Sequence, residues 1–328
     1  MTAAYKNRFD WVDWMKALGI FLVVLGHFYS IGEKFIYVFH VPLFFIISGF
    51  LTKKESDNRQ FLRKLWYNLA VPMLIIATLN VMFDWLFDFM HGTFNPMEIY
   101  WFVRNVVFGM VSGFDALWFV YTLILLKIFF QYSFSNRCFG ILAIVMLVLT
   151  YVYNHMNLSV FPFFLREPNS IVNTLTACPF FALGVFFHNF RGRLKEWNRK
   201  ILLMISFFCC LLIVVGCYYH NGYVAMYCCC YGENVFLFLI GGVAGSIMIF
   251  SITKLLGPAP KVVVIVSRGT IVILGFHKLL IGLVREFFSA SYNDVFYSAL
   301  IILFFVPTII FLEKYFPLMI GKYRIIKK

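Results

Sequence analysis

Apolar runs of membrane-spanning length recur along almost the whole chain, at about 14–30, 35–52, 65–87, 115–132, 139–153, 172–188, 201–219, 234–252, 265–284 and 295–312. A helix crosses a bilayer with roughly 20 apolar residues, so ten crossings use about 200 residues and leave the rest of the 328 for loops and tails. The expected fold is an all-α polytopic membrane protein, a bundle of about ten transmembrane helices. It is read as one transmembrane domain over residues 1–328 with no separate soluble domain. The run at 139–153 is short and must borrow from its flanks, and a weaker segment at 99–111 is expected to lie in the interface or to re-enter. Only 13% of the residues are charged and 62% are hydrophobic. Soluble proteins carry about 25% charged residues, so a water-soluble fold and a disordered chain are both excluded. No fixed-period repeat, low-complexity linker or cleavable signal peptide is visible.

The net charge of +13 would suit nucleic-acid binding if it were evenly exposed. It is not. With ten spans and an internal N-terminus, 21 of the 28 Lys and Arg fall in segments on the cytoplasmic side. Only Lys34, Arg104, Arg166 and Arg285 fall outside, while Lys16, Lys127 and Lys278 lie within or near spans. This positive-inside bias predicts a multi-pass protein of the plasma (inner) membrane with N- and C-termini cytoplasmic. The partner it implies is the lipid bilayer, with no nucleic acid. The eight cysteines form no spaced CxxC pairs, and Cys228, Cys229 and Cys230 are too close together to share one zinc. No metal is expected, and most cysteines read as small apolar helix residues. Gly241, Gly242, Gly245 and Ser246 form a small-residue packing face. Pro72, Pro179 and Pro307 read as tolerated kinks.

Ionisable groups inside spans are costly and so mark candidate sites. In the first span Lys16 and His27 are eleven residues apart, about three helical turns, so they share a face and stand roughly 16 Å apart along the axis. Asp13 lies near the same face. A cation and a carboxylate at the mouth with an imidazole deeper in suit an anionic cofactor that threads a reactive end inward. The competing reading is a snorkelling Lys16 and a His27 hydrogen-bonded to a neighbouring helix. His40 and Ser48 in the second span, beside Pro42, are placed to supply hydrogen bonds near His27, although Ser48-Gly49 equally suits a helix contact. Asp115, Trp118 and Tyr121 cluster at the outer end of the fourth span, where an interfacial aromatic belt also explains the two rings. His277, next to Lys278, is a further intramembrane histidine, and Asn80 and Asp84 are weaker candidates.

These blocks resemble the integral-membrane acyltransferase-3 family. The D-x-x-K of Asp13 and Lys16 followed by Gly26-His27 is similar to its first span. Phe39-His40-Val41-Pro42-Leu43-Phe44-Phe45 running into Ser48-Gly49-Phe50 is the most distinctive match. Leu117-Trp118-Phe119, the block from Pro179 to Gly184 and the span carrying His277 follow in order over nearly the whole chain. Two departures stand out. Lys16 occupies a position where Arg is commoner, and Lys acts as a point charge without the guanidinium fork. Asn68 stands where the family often has an Arg four residues before Pro72, with Arg59, Arg63 and Lys64 upstream as the nearest charges.

The resemblance implies a membrane O-acyltransferase that moves an acetyl or other short acyl group from acetyl-CoA, or another acyl-CoA, to a hydroxyl of a sugar, glycolipid or surface polysaccharide. CoA would enter from the cytoplasm, its phosphates meeting Lys16, with Asp13 beside it, and Arg59, Arg63 and Lys64. The thioester would lie near His27. An imidazole held away from water is neutral and can accept a proton, so His27 serves as general base or as the site of an acyl-histidine intermediate. Charge developing on the thioester oxygen needs a polar partner, for which His40, Ser48, Trp118, Tyr121 and His277 are the candidates. The alternative classes are a secondary transporter, which the lack of inverted repeats disfavours, and a non-catalytic membrane subunit or receptor. The acceptor, the acyl chain length and the oligomeric state leave no mark in the sequence.

Overall fold

The computed structural model describes residues 8–28, 32–111, 115–156, 168–287 and 293–322. Lys6, Arg166, Arg324, Lys327 and Lys328 lie outside the described residues, as does the side chain of Asp115. Among the described residues the helices are α1 Asp10–Gly26, α2 Glu33–Tyr37, α3 His40–Leu51, α4 Asn58–Leu65, α5 Val71–His91, α6 Met97–Phe108, α7 Trp118–Tyr132, α8 Asn136–His155, α9 Ser170–His188, α10 Arg191–Glu196, α11 Lys200–His220, α12 Val235–Leu256, α13 Lys261–Arg268, α14 Thr270–Phe287 and α15 Asp294–Tyr315. Several begin where a polar side chain takes an otherwise unpaired first-turn N–H. Asp57, Ser135, Asn169, Asn234 and Asn293 do this for α4, α8, α9, α12 and α15.

By length and apolarity, seven helical segments can cross a membrane among the described residues, or eight if α13 and α14 are one span bent by 84°. The expected runs at 14–30 and 115–132 fold as α1 and α7, of only 17 and 15 residues. The first turns of α1 are spent on Asp10, Asp13 and Lys16, and α7 starts only after the tight turn Asp115–Leu117. α4 and α5 run together through a widened turn at Trp66–Ala70. The run at 139–153 does extend into its flanks, as the 20-residue α8. The weaker segment near 99–111 becomes α6, which buries no residue. On α11, Ile201, Ile205, Phe208 and Leu212 form one stripe, each more than half exposed. A soluble monomer rarely carries such a patch; a bilayer covers it.

Three apolar clusters overlap through α1 and α3. One holds Phe45, Leu126, Phe181 and Phe238. A second holds Trp11, Leu43 and Val214, and a third Ile20, Ile273 and Ile309. α3 and α9 cross at Gly49 and Gly184. A Cβ on Gly49 would overlap the Phe181 carbonyl oxygen, and one on Gly184 would overlap that of Ile46. The α12 glycines also pack tightly: Gly242 lies against Phe180 and Pro42, and Gly245 against Phe39.

A two-stranded hairpin, β1 Val224–Ala225 and β2 Cys230–Tyr231, packs against α2, with Ala225 buried beside Ile36 and Tyr37. It holds the three cysteines that are not in the spanning helices. Cys138, Cys178, Cys209, Cys210 and Cys217 are helix residues, but Cys228, Cys229 and Cys230 form the hairpin turn and its second strand. Cys229 has φ 55°, a left-handed conformation that no right-handed helix accommodates.

Candidate active site

Four helices each turn one face towards a cavity of about 300 Å³. α1 contributes Lys16, Ile20, Val23 and His27, a stripe at helical spacing. α3 presents His40, Phe44, Ser48 and Leu51, and α7 presents Trp118, Leu123 and Lys127. α14 adds Thr270, Leu274 and Lys278, and Met226 and Tyr227 enter from the hairpin. α1 and α3 run antiparallel, since Trp11 packs on Phe50, ring centroids 5.0 Å apart, and Gly19 lies against Phe44. Lys16 therefore shares one end of the cavity with Leu51, and His27 shares the other with His40. The Tyr37 ring lies 6.5 Å from His27 and 5.0 Å from His40.

His27 occupies the C-terminal cap of α1, and its Nδ1 donates to the Val23 carbonyl at 2.8 Å. A carbonyl only accepts, so the proton sits on Nδ1 and Nε2 keeps its lone pair. His40 repeats the pattern, with Nδ1 donating to Ile36 O at 2.9 Å. That bond consumes the one N–H of a neutral ring. The turn is anchored again from α14, where Arg285 Nη2 donates to His27 O at 3.2 Å. His277 does not line the cavity. It is fully buried and stands edge to face with His27, ring centroids 4.7 Å apart at 88°. Its Nδ1 faces the Ile273 and Leu274 carbonyls, and its Nε2 has no hydrogen-bond partner among the described residues.

The opposite end is built around the break at Gly269. The last carbonyls of a helix lack intrahelical partners, and the Ser267 carbonyl accepts from Lys16 Nζ. Ser267 Oγ donates to Asp13 Oδ1 at 2.5 Å, and Arg8 Nε donates to Asp13 Oδ2 at 2.5 Å. Asp13 thus faces Arg8 and Ser267, outside the cavity lining. It fixes the start of α1 to the end of α13.

The remaining sequence candidates divide. Ser48 and Trp118 face the cavity. Tyr121 does not; its ring covers Gly109. Arg59, Arg63 and Lys64 also lie outside the lining, on α4, where Arg59 and Arg63 are exposed and Lys64 Nζ pairs with Glu55 at 2.7 Å. Their helix leads directly into the turn carrying Leu69, which is part of the wall. Lys127 and Lys278 were given no role from sequence, yet both line the cavity. Their signal was a lysine inside an apolar helix, a feature that marks a site by its cost alone. Among the described residues no three His, Cys, Asp or Glu side chains group as metal ligands.

The fold and this cavity define a polytopic helical membrane protein with a histidine and lysines facing an interior chamber. The acyltransferase-3 family model, described as an acyltransferase domain, matches residues 9–313. The chain belongs to that family, and it is a multi-pass membrane acyltransferase. No curated protein and no solved structure matches it significantly.

Proposed function

We propose that the protein is an O-acyltransferase of the plasma membrane, with both termini cytoplasmic. It moves an acetyl or other short acyl group from acyl-CoA to a hydroxyl of a sugar, glycolipid or surface polysaccharide. The observation that carries this reading is the α1 stripe, which sets a lysine at one end of a cavity and an imidazole with a free Nε2 lone pair at the other. The donor's phosphates lie at the Lys16 end, with Arg59, Arg63 and Lys64 at the approach and Asp13 holding the start of α1. The pantetheine arm runs along the cavity and brings the thioester to His27.

His27 Nε2 removes the proton of the acceptor hydroxyl as its oxygen bonds to the thioester carbon. The C–S bond breaks, and the leaving thiolate takes the proton back. In the acyl-histidine variant the same Nε2 bonds to the thioester carbon first and the CoA thiolate leaves; the acceptor oxygen then bonds to the acyl carbon, the C–Nε2 bond breaks, and the hydroxyl proton passes to the thiolate. Trp118, at the end of α7 away from Lys127, carries an N–H for the developing oxyanion, while Ser48, one turn before Thr52, lines the cavity towards its Lys16 end. His40, with its N–H spent on Ile36, shapes the wall instead, and His277 supports the His27 ring from behind.

The test is label transfer from radiolabelled acetyl-CoA into membrane glycolipid and glycan. His27→Ala is expected to lower the rate by at least about 10²-fold while inserting and unfolding like the native protein. A variant with native rate would remove the assignment.

A further inference from the structure

Lys127, supplied by α7, is a second cation facing the chamber at its Lys16 end, apart from Lys278 on α14. Its Nζ donates to Thr52 Oγ1 at 2.7 Å. Thr52, one residue past the end of α3, places this ammonium at the same end of the cavity as Lys16. The Thr52 hydroxyl spends its own proton on Ser48 O at 2.6 Å. Lys127 therefore uses one of its three donors on a neutral oxygen. Lys16 is likewise held by a neutral oxygen, the Ser267 carbonyl. The acid nearest in sequence, Asp13, is engaged by Arg8 and Ser267. Among the described residues no Asp or Glu lines the cavity.

Charged side chains inside a membrane bundle are costly unless an opposite charge or water offsets them. Two ammonium groups at one end of one chamber, with no carboxylate in its wall, call for an anion with at least two charges. We propose that Lys127 and Lys16 together form a two-lysine diphosphate site, and that Lys127 is a donor-binding residue that grips the diphosphate of the acyl-CoA. This rests on the acyl-CoA reading for the identity of the donor, and on the chamber alone for the anion site. The α7 and α1 cations hold the diphosphate from two sides, leaving the acyl end free to reach His27, about three helical turns along α1 from Lys16.

The experiment uses the full chain in phosphatidylcholine nanodiscs, with inorganic pyrophosphate and acetyl-CoA as probes. Pyrophosphate is expected to raise the thermal midpoint of the native protein and of Lys127→Arg, and to leave Lys127→Met and Lys127→Gln unmoved. In label transfer, Lys127→Met is expected to raise the KM for acetyl-CoA at least about tenfold, with kcat changed much less. A purely structural lysine would not separate KM from kcat in this way. Equal pyrophosphate responses in native protein and Lys127→Met would overturn the proposal, as would a native protein without any response. A response abolished by adding phosphatidylglycerol would assign the lysines to a lipid headgroup and equally overturn it. A Lys127-dependent pyrophosphate response without acetyl-CoA binding or turnover would keep the anion site and defeat the acyl-CoA reading.

Discussion

At the scale of single residues, the chemistry depends on side chains pinned by their own helix. His27 and His40 each give their Nδ1 proton to the carbonyl four residues back, which fixes the tautomer without a carboxylate partner. Asp13 does comparable work for the cation, joining Arg8 to Ser267, whose carbonyl receives Lys16. Asp13→Asn removes the charge from both hydrogen bonds. It is expected to cost about 1–3 kcal/mol, read as a lower thermal midpoint in nanodiscs, and to raise the KM for acetyl-CoA as Lys16 loses its alignment. An unchanged midpoint and KM would mean that the latch holds nothing. The facing of Lys16 and His27 was legible because an eleven-residue spacing on a helix fixes relative direction. Asp13 was harder, since its partner Ser267 is 254 positions away and no local pattern announces that pairing. Lys127 announced itself only by its cost inside an apolar helix; which face of α7 meets the chamber depends on how α7 packs against distant helices.

At the scale of elements, the site depends on two kinds of break and one close crossing. The bend of 84° between α13 and α14 exposes the carbonyl that takes Lys16. At the break between α2 and α3 the Ile36 carbonyl accepts from both Phe39 N and His40 Nδ1. The crossing of α3 and α9 brings backbones into contact at Gly49 and Gly184. Gly184→Ala is expected to destabilise the protein by about 1–3 kcal/mol through overpacking. Gly140→Ala, where an added Cβ meets nothing within 4 Å, is expected to be near neutral. Equal thermal midpoints for the two variants would contradict the crossing. Apolar runs located most helices in the sequence, because lipid demands them. Runs of hydrophobicity carry no sign of a bend, so the ninth run gave no warning that its first part folds as the separate α13. Nor did three adjacent cysteines reveal a hairpin set by one left-handed residue.

At the scale of the whole molecule, lysine and arginine crowd the loops that the positive-inside bias assigns to the cytoplasm, and the cavity has Lys16 and Lys127 at one end and the His27 and His40 imidazoles at the other. The proposed function joins the two: a charged donor that cannot cross the bilayer enters from the cytoplasm at the Lys16 end and meets His27 deep in the bundle. The most direct measurement is sided label transfer, adding radiolabelled acetyl-CoA to sealed vesicles of known orientation from the same membranes. Inside-out vesicles are expected to incorporate label at a rate that His27→Ala abolishes, while right-side-out vesicles incorporate none until permeabilised. Equal incorporation by sealed right-side-out vesicles, or full incorporation by His27→Ala in inside-out ones, would contradict the account.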